Sequence, residues 1–206
     1  MFAPAELLWA FIGLILTIGS TWVEAFAFTV PSGGGLETYS LGVTFQFGVA
    51  LFIGCMGGRN AAALSQIAYI ALGVALFERF GLEVFTQGAG VSYLQEPSFG
   101  YLLGFIPAGW VCGMLAIRQK KKGAQKLPPK KVTLERLAFS AIAGLVVMHL
   151  CGLTYLVLGH LFRWLPATPA LGVSMLDYSV AQFPGQVMVS CAIALIAFGL
   201  RKALFY

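Results

Sequence analysis

Every charged side chain of this 206-residue chain falls outside six long apolar windows. Thirteen Lys and Arg and eight Asp and Glu leave residues 7–23, 38–58, 60–77, 97–117, 137–162 and 178–200 free of charge. Each window holds 17 to 26 residues. At roughly 1.5 Å of rise per residue, helices of that length cover about 26 to 39 Å, against a bilayer hydrocarbon core of about 30 Å. The chain therefore reads as an all-α membrane protein with six transmembrane helices in a single domain, residues 1–206. With 59% hydrophobic and 10% charged residues, and a mean hydropathy of +0.85, a soluble domain of this size would lack the polar surface to cover itself. Strands of a membrane β-barrel alternate apolar and polar residues, whereas these windows are apolar on all faces. The first window has no basic flank before it and exceeds the length of a signal-peptide core, so it is expected to remain as a span.

Basic residues set the expected orientation. Arg118, Lys120, Lys121, Lys122, Lys126, Lys130 and Lys131 follow the fourth window, and Arg201 and Lys202 follow the sixth. Two spans separate these clusters, so they share a side, and the positive-inside bias makes that side cytoplasmic. Both termini are then cytoplasmic, with 11 of 13 Lys and Arg inside and Arg79 and Arg163 outside. Glu37, Glu78, Glu83, Glu96 and Asp177 go to the outer face. The basic linker 118–136, centred on Leu127-Pro128-Pro129, divides the chain into two three-span halves. It reads as a topology determinant and solvated linker, with contact to anionic lipid or nucleotide as the alternative.

The expected outer connections differ in character. Residues 30–37 contain Pro31-Ser32-Gly33-Gly34-Gly35, a loop too polar for the bilayer. Residues 78–96 interleave Phe80, Val84, Phe85, Tyr93 and Leu94 with glycines. A solvated loop has little use for large apolar side chains, so this segment is expected to fold over the mouth of the bundle or to rest on lipid as an interfacial half-helix. Residues 163–177 form the third outer element. Gly100, Gly104 and Ala108, then Gly109 and Gly113, recur at spacing four, and Gly144, Met148 and Gly152 form a weaker stripe. Small residues at this spacing let helix backbones approach closely, within the chain by default and between chains as the alternative.

Four ordered motifs resemble a known family. Gly42-Val43-Thr44-Phe45-Gln46, then Gly54-Cys55-Met56-Gly57-Gly58-Arg59-Asn60-Ala61-Ala62-Ala63-Leu64-Ser65, then Tyr69-Ile70-Ala71-Leu72-Gly73, then Glu96-Pro97-Ser98-Phe99-Gly100-Tyr101-Leu102-Leu103-Gly104-Phe105 are similar to those of the BioY family. BioY proteins are the biotin-specific S components of energy-coupling factor (ECF) transporters. The similarity runs over about residues 42–117 and is looser from 137 to 200. The resemblance implies a substrate-capturing subunit without enzymatic activity, in a prokaryotic plasma membrane, partnered by a transmembrane T component and two ATPases. It implies no intrinsic cofactor, with ATP used only by the partners and no nucleic-acid partner. The chain itself carries no GxxxxGK[ST] phosphate loop.

Biotin's ureido ring needs donors and acceptors, its thiophane ring an apolar wall, and its carboxylate a cation or several N–H groups. Under the six-span topology, Gln46, Tyr101 and Gln186 occupy the outer halves of the second, fourth and sixth spans. They are expected to converge on one outward-facing cavity, with Glu96, Gln87 and Tyr93 completing it. The resemblance also implies an acid and a base near the start of the last span, within a Phe-Leu-Pro-Gly-Asp-like stretch followed three residues later by Lys. Phe183-Pro184-Gly185 keeps that frame, but Gln186 stands at the acid and Val189 at the base. A carboxylate partner would then come from Arg79 or Arg163. Glu96 stands where the family usually has Gly, and the first span lacks the Ala-xxx-Ala spacing expected for docking to a T component.

These departures keep open a BioY-derived subunit or assembly factor of a larger membrane complex, without transport. An intramembrane enzyme finds no GxSxG, HExxH or aspartate pair. His149 and His160 share one face of the fifth span, three turns apart, and read as packing hydrogen bonders, with pigment or haem ligation as the alternative. Cys55, Cys112, Cys151 and Cys191 read as small packing residues. Glu24 is expected to snorkel at the outer interface.

Overall fold

The computed structural model describes residues 3–29, 37–80, 84–85, 90–117, 132–167 and 169–205. Its helices, in chain order, are α1 (Pro4–Ser20), α2 (Gln46–Gly57), α3 (Arg59–Phe80), α4 (Phe99–Ala116), α5 (Leu134–Leu161), the five-residue α6 (Leu171–Met175) and α7 (Phe183–Phe205). Strands β1 (Glu24–Thr29) and β2 (Glu37–Thr44) pair antiparallel between α1 and α2.

Five of the six apolar windows hold one main helix each, and the second is divided. Residues 38–44 belong to β2, and only the twelve residues of α2 are helical. The all-α expectation thus fails at this point. The strand is uncharged, so it merges into the hydropathy window, although its Thr-Tyr-Ser-Leu-Gly-Val-Thr content suits a pleated backbone better than a helix. Glu24 begins β1, where Ser40 Oγ donates to its carboxylate at 3.3 Å. The connection after α5, expected on the outer face, is also more helical than its prolines suggest. From Leu171 the chain runs through α6 and a π-helical segment, Leu176–Ala181, into α7.

By length and composition, Phe99–Ala116, Leu134–Leu161 and Leu171–Leu204 can each cross a membrane; α1 and α2 are apolar but shorter. α2 and α4 form the centre. Ten of the twelve α2 residues are buried, so it has no lipid-type face to present. α4 packs against α2, α3 and α5. The small-residue stripes make these seams possible within the chain. A Cβ at Gly104 would lie 2.9 Å from the Met148 carbonyl of α5, and one at Gly54 would lie 2.8 Å from the Gly109 carbonyl of α4. Cys55 and Cys112, 57 residues apart, meet across the α2–α4 seam as thiols with sulfurs 3.6 Å apart.

One end of the bundle is basic. Arg201 donates to the Cys55 carbonyl at 2.8 Å, and Arg136 Nε donates to the Leu115 carbonyl at 2.7 Å. Both guanidinium groups thereby serve last-turn carbonyls of α2 and α4, which have no partner within their own helix. The Arg59 guanidinium lies over the Trp110 ring, 5.5 Å from its centroid.

At the other end, the described parts of 78–96 fold into the protein. Val84, Phe85 and Tyr93 are buried, while Leu94 is exposed. An aromatic series holds them: Tyr69 to Phe85 at 5.4 Å, Phe85 to Tyr93 at 4.6 Å and Tyr93 to Phe99 at 6.0 Å between ring centroids. The Phe85 ring sits over Gly73 of α3, where any Cβ would collide with it.

Candidate ligand site

A cavity of about 190 Å³ lies at this second end, among the first turns of α2, α4 and α7. The first turns of α2 and α4 begin at the cavity, whereas that of α7 continues from the π-helical segment, with the Gln186 N–H donating to the Gln182 carbonyl at 3.0 Å. The end of β2 (Gly42, Val43, Thr44) forms its rim. β2 reaches that position because Gly185 of α7 has no side chain; a Cβ there would meet the Leu41 carbonyl at 2.6 Å. Phe47, Leu102, Phe105 and Met148 supply apolar wall, and Tyr178 and Gln182 close it from the π-helical side. π-helical turns redirect side chains relative to a regular helix, and here the segment brings Tyr178 and Ser179 towards Tyr101.

Four of the residues singled out from sequence, Gln46, Tyr93, Tyr101 and Gln186, meet at this cavity. Gln46 Nε2 donates to Tyr69 OH at 2.8 Å; Tyr69 OH in turn donates to the Val84 carbonyl at 3.0 Å and lies 3.1 Å from Thr21 Oγ1. Tyr93 OH is 3.2 Å from Ser98 Oγ. Glu96 and Arg163 are not in the described wall. Glu96 follows the 3-10 turn Val91–Gln95, its N–H donating to the Tyr93 carbonyl at 3.0 Å. Arg163 is exposed in the turn after α5 with φ 61°. Arg79 lies in the last turn of α3, where only the backbone is described, and Gln87 lies outside the described residues.

Sequence reasoning passed over the polar core of the opposite wall. His149 Nε2 donates to Gln186 Oε1 at 2.7 Å, and His149 Nδ1 is 3.2 Å from Ser179 Oγ. Ser179 Oγ is 2.5 Å from Tyr101 OH, and Gln186 Nε2 donates to Gln182 Oε1 at 3.4 Å. The only available signal was a histidine inside an apolar window. Its partners lie 30 and 37 residues away in the chain. His160, by contrast, bonds within its own helix, to the Leu156 carbonyl at 3.1 Å. The described residues lining the cavity carry no charge. Val189, at the position of the expected base, is buried hydrophobic core. The described residues contain no group of three or more His, Cys, Asp or Glu suited to a metal ion.

This arrangement is a polar-walled, partly aromatic cavity in a bundle of apolar helices, the form of a small-molecule binding site in a membrane protein. Residues 3–205 match the model of the BioY family, and the chain belongs to that family. It is an integral membrane protein of a non-enzymatic, substrate-binding class. It is 27% identical over 200 residues, 96% of this chain and 95% of the other, to an uncharacterised 21.2 kDa protein of Cyanophora paradoxa. It is 35% identical over 122 residues, 59% of this chain and 52% of the other, to a probable biotin transporter BioY of Lysinibacillus sphaericus. The fold is similar to the crystal structure of the S-component for biotin from an ECF-type ABC transporter, with a TM-score of 0.64 and 18% identity over 96% of this chain and 90% of that one.

Proposed function

We propose that this chain is the substrate-binding S component of an ECF-type biotin uptake transporter. The observation that carries this reading is the cavity itself: Gln46, Tyr101 and Gln186 come from three separate helices to one apolar-floored space. Amides and hydroxyls there suit a ureido group, and Phe47, Phe105 and Met148 suit a thiophane ring. Six crossings place both termini and the arginine-capped end in the cytoplasm and open the cavity outward. In this reading α2 crosses together with β2, because twelve residues rise only about 18 Å as a helix. Transport then needs a T component and ATPases as partners, with ATP consumed only by them. A prokaryotic plasma membrane is the natural setting. Tyr93 shares the cavity, Gln87 is kept as a residue that completes it, and Arg79 and Arg163 are the outer candidates for the carboxylate.

The experiment is equilibrium binding of labelled biotin to the detergent-purified protein with unlabelled biotin as competitor. Saturable binding at nanomolar to low micromolar concentration supports the reading. Gln186→Ala should then weaken it by about 1 to 3 kcal/mol, the cost of leaving a buried polar group unpaired. A folded protein that binds no biotin would instead favour a structural or assembly subunit of a larger membrane complex.

A further inference from the structure

The hydrogen bonds along one cavity wall form an unbroken series, and such a series has a direction. Gln186 Oε1 can only accept, so the proton in its 2.7 Å contact with His149 sits on Nε2. In the neutral ring Nδ1 is then an acceptor, and Ser179 Oγ–H, 3.2 Å away, donates to it. With that proton committed, Ser179 Oγ accepts from Tyr101 OH at 2.5 Å. At the far end Gln186 Nε2 donates to Gln182 Oε1 at 3.4 Å. Reversing any one link alone would set two protons or two lone pairs face to face. His149 and Gln186 are both more than nine-tenths buried, so water cannot readily repair such a mismatch.

The direction decides what the cavity can read. Tyr101 has used its single O–H on Ser179 and offers only a lone pair. Gln186 has its carbonyl held by His149 and one N–H uncommitted. The wall therefore sets an N–H donor near an oxygen acceptor. We propose that His149 is a positioning residue that orients the Gln186 amide as a donor, so that the site recognises a carbonyl oxygen flanked by N–H, the pattern of a cyclic urea or lactam. This rests on the biotin reading and sharpens it: the ureido oxygen is the group that Gln186 recognises.

Two measurements on the full-length protein in detergent test it. The first is histidine-selective 15N NMR in a His160→Gln background, which leaves one imidazole signal and needs no ligand. The Nε2–H tautomer is expected; the Nδ1–H tautomer overturns the proposal. The second compares the Kd of biotin with that of 2-thiobiotin, an analogue of the same net charge whose ureido oxygen is replaced by sulfur, a weaker acceptor. Wild type should prefer biotin by about tenfold or more, because a site built to hydrogen-bond a group rejects an analogue that bonds poorly. His149→Phe should bring the two Kd values to within about threefold, and His149→Gln, which keeps an N–H donor, should restore the preference. A loss in His149→Phe that is equal for both ligands, leaving the ratio intact, would reduce His149 to a packing residue. Wild type that shows the Nε2–H signal yet binds no biotin would refute the biotin reading while supporting the relay.

Discussion

Tyr69 carries the second polar cluster at the cavity. Its hydroxyl is fully buried and joins Gln46, the Val84 carbonyl and Thr21, three partners from three parts of the chain. Thr21 has another outlet, since its single O–H can donate to the Thr17 carbonyl at 2.9 Å in place of Tyr69, but Gln46 Nε2 and the Val84 oxygen have no other partner among the described residues. Tyr69→Phe is therefore expected to lower stability by about 1 to 3 kcal/mol, read as a fall in the thermal midpoint in detergent. A midpoint unchanged within error would mean that water takes over both groups. At this scale the sequence was partly legible. A glutamine inside a charge-free window is visible without a structure, because an unpaired amide in hydrocarbon is costly and so marks a partner or a ligand. Gln46 and Gln186 are such glutamines, and they were grouped with Tyr101 because all three fall in the outer halves of their expected spans. His149 was read only as a packing hydrogen bonder, and Ser179 and Gln182 were not singled out, since nothing local distinguishes a polar residue that packs from one that orients a cavity amide.

Among the helices, the glycines divide into those that are seams and those that are merely exposed. At Gly104 a methyl group would press on the Met148 carbonyl, a backbone atom that cannot swing aside, whereas at Gly199 it would meet nothing within 4 Å. Gly104→Ala should cost about 1 to 3 kcal/mol through forced separation of α4 and α5. Gly199→Ala, on an exposed face of α7, should instead add up to about 1 kcal/mol through helix propensity. Thermal unfolding of the two variants side by side checks both signs, and destabilisation by both would show that helix propensity does not govern Gly199. The spacing-four stripes made the close seams legible, because small residues at that interval lie along one helix face. The β1–β2 hairpin was not legible in the same way. Hydropathy sums an uncharged strand and an uncharged helix into one window, and only their hydrogen bonds tell them apart.

Across the molecule, arginines at one end and a cavity at the other define a polarity that the membrane should respect. Gln125→Cys and Ser32→Cys, each in a Cys191→Ser background, test it with a membrane-impermeant thiol reagent on intact cells. Ser32→Cys is expected to label from outside and Gln125→Cys only after permeabilisation; the reverse pattern would invert the topology. What the sequence by itself determined is the membrane character, the number and rough extent of the apolar segments and the basic end, because these depend on composition and on distance along the chain. The bilayer enforces them one segment at a time. Only the tertiary structure decided that residues 38–44 leave helix for strand, that α6 and a π-helical segment lead into α7, and that His149 stands behind Gln186. Those features arise from contacts between residues far apart in the chain, where packing and the pairing of buried polar groups, and not local hydropathy, choose among conformations.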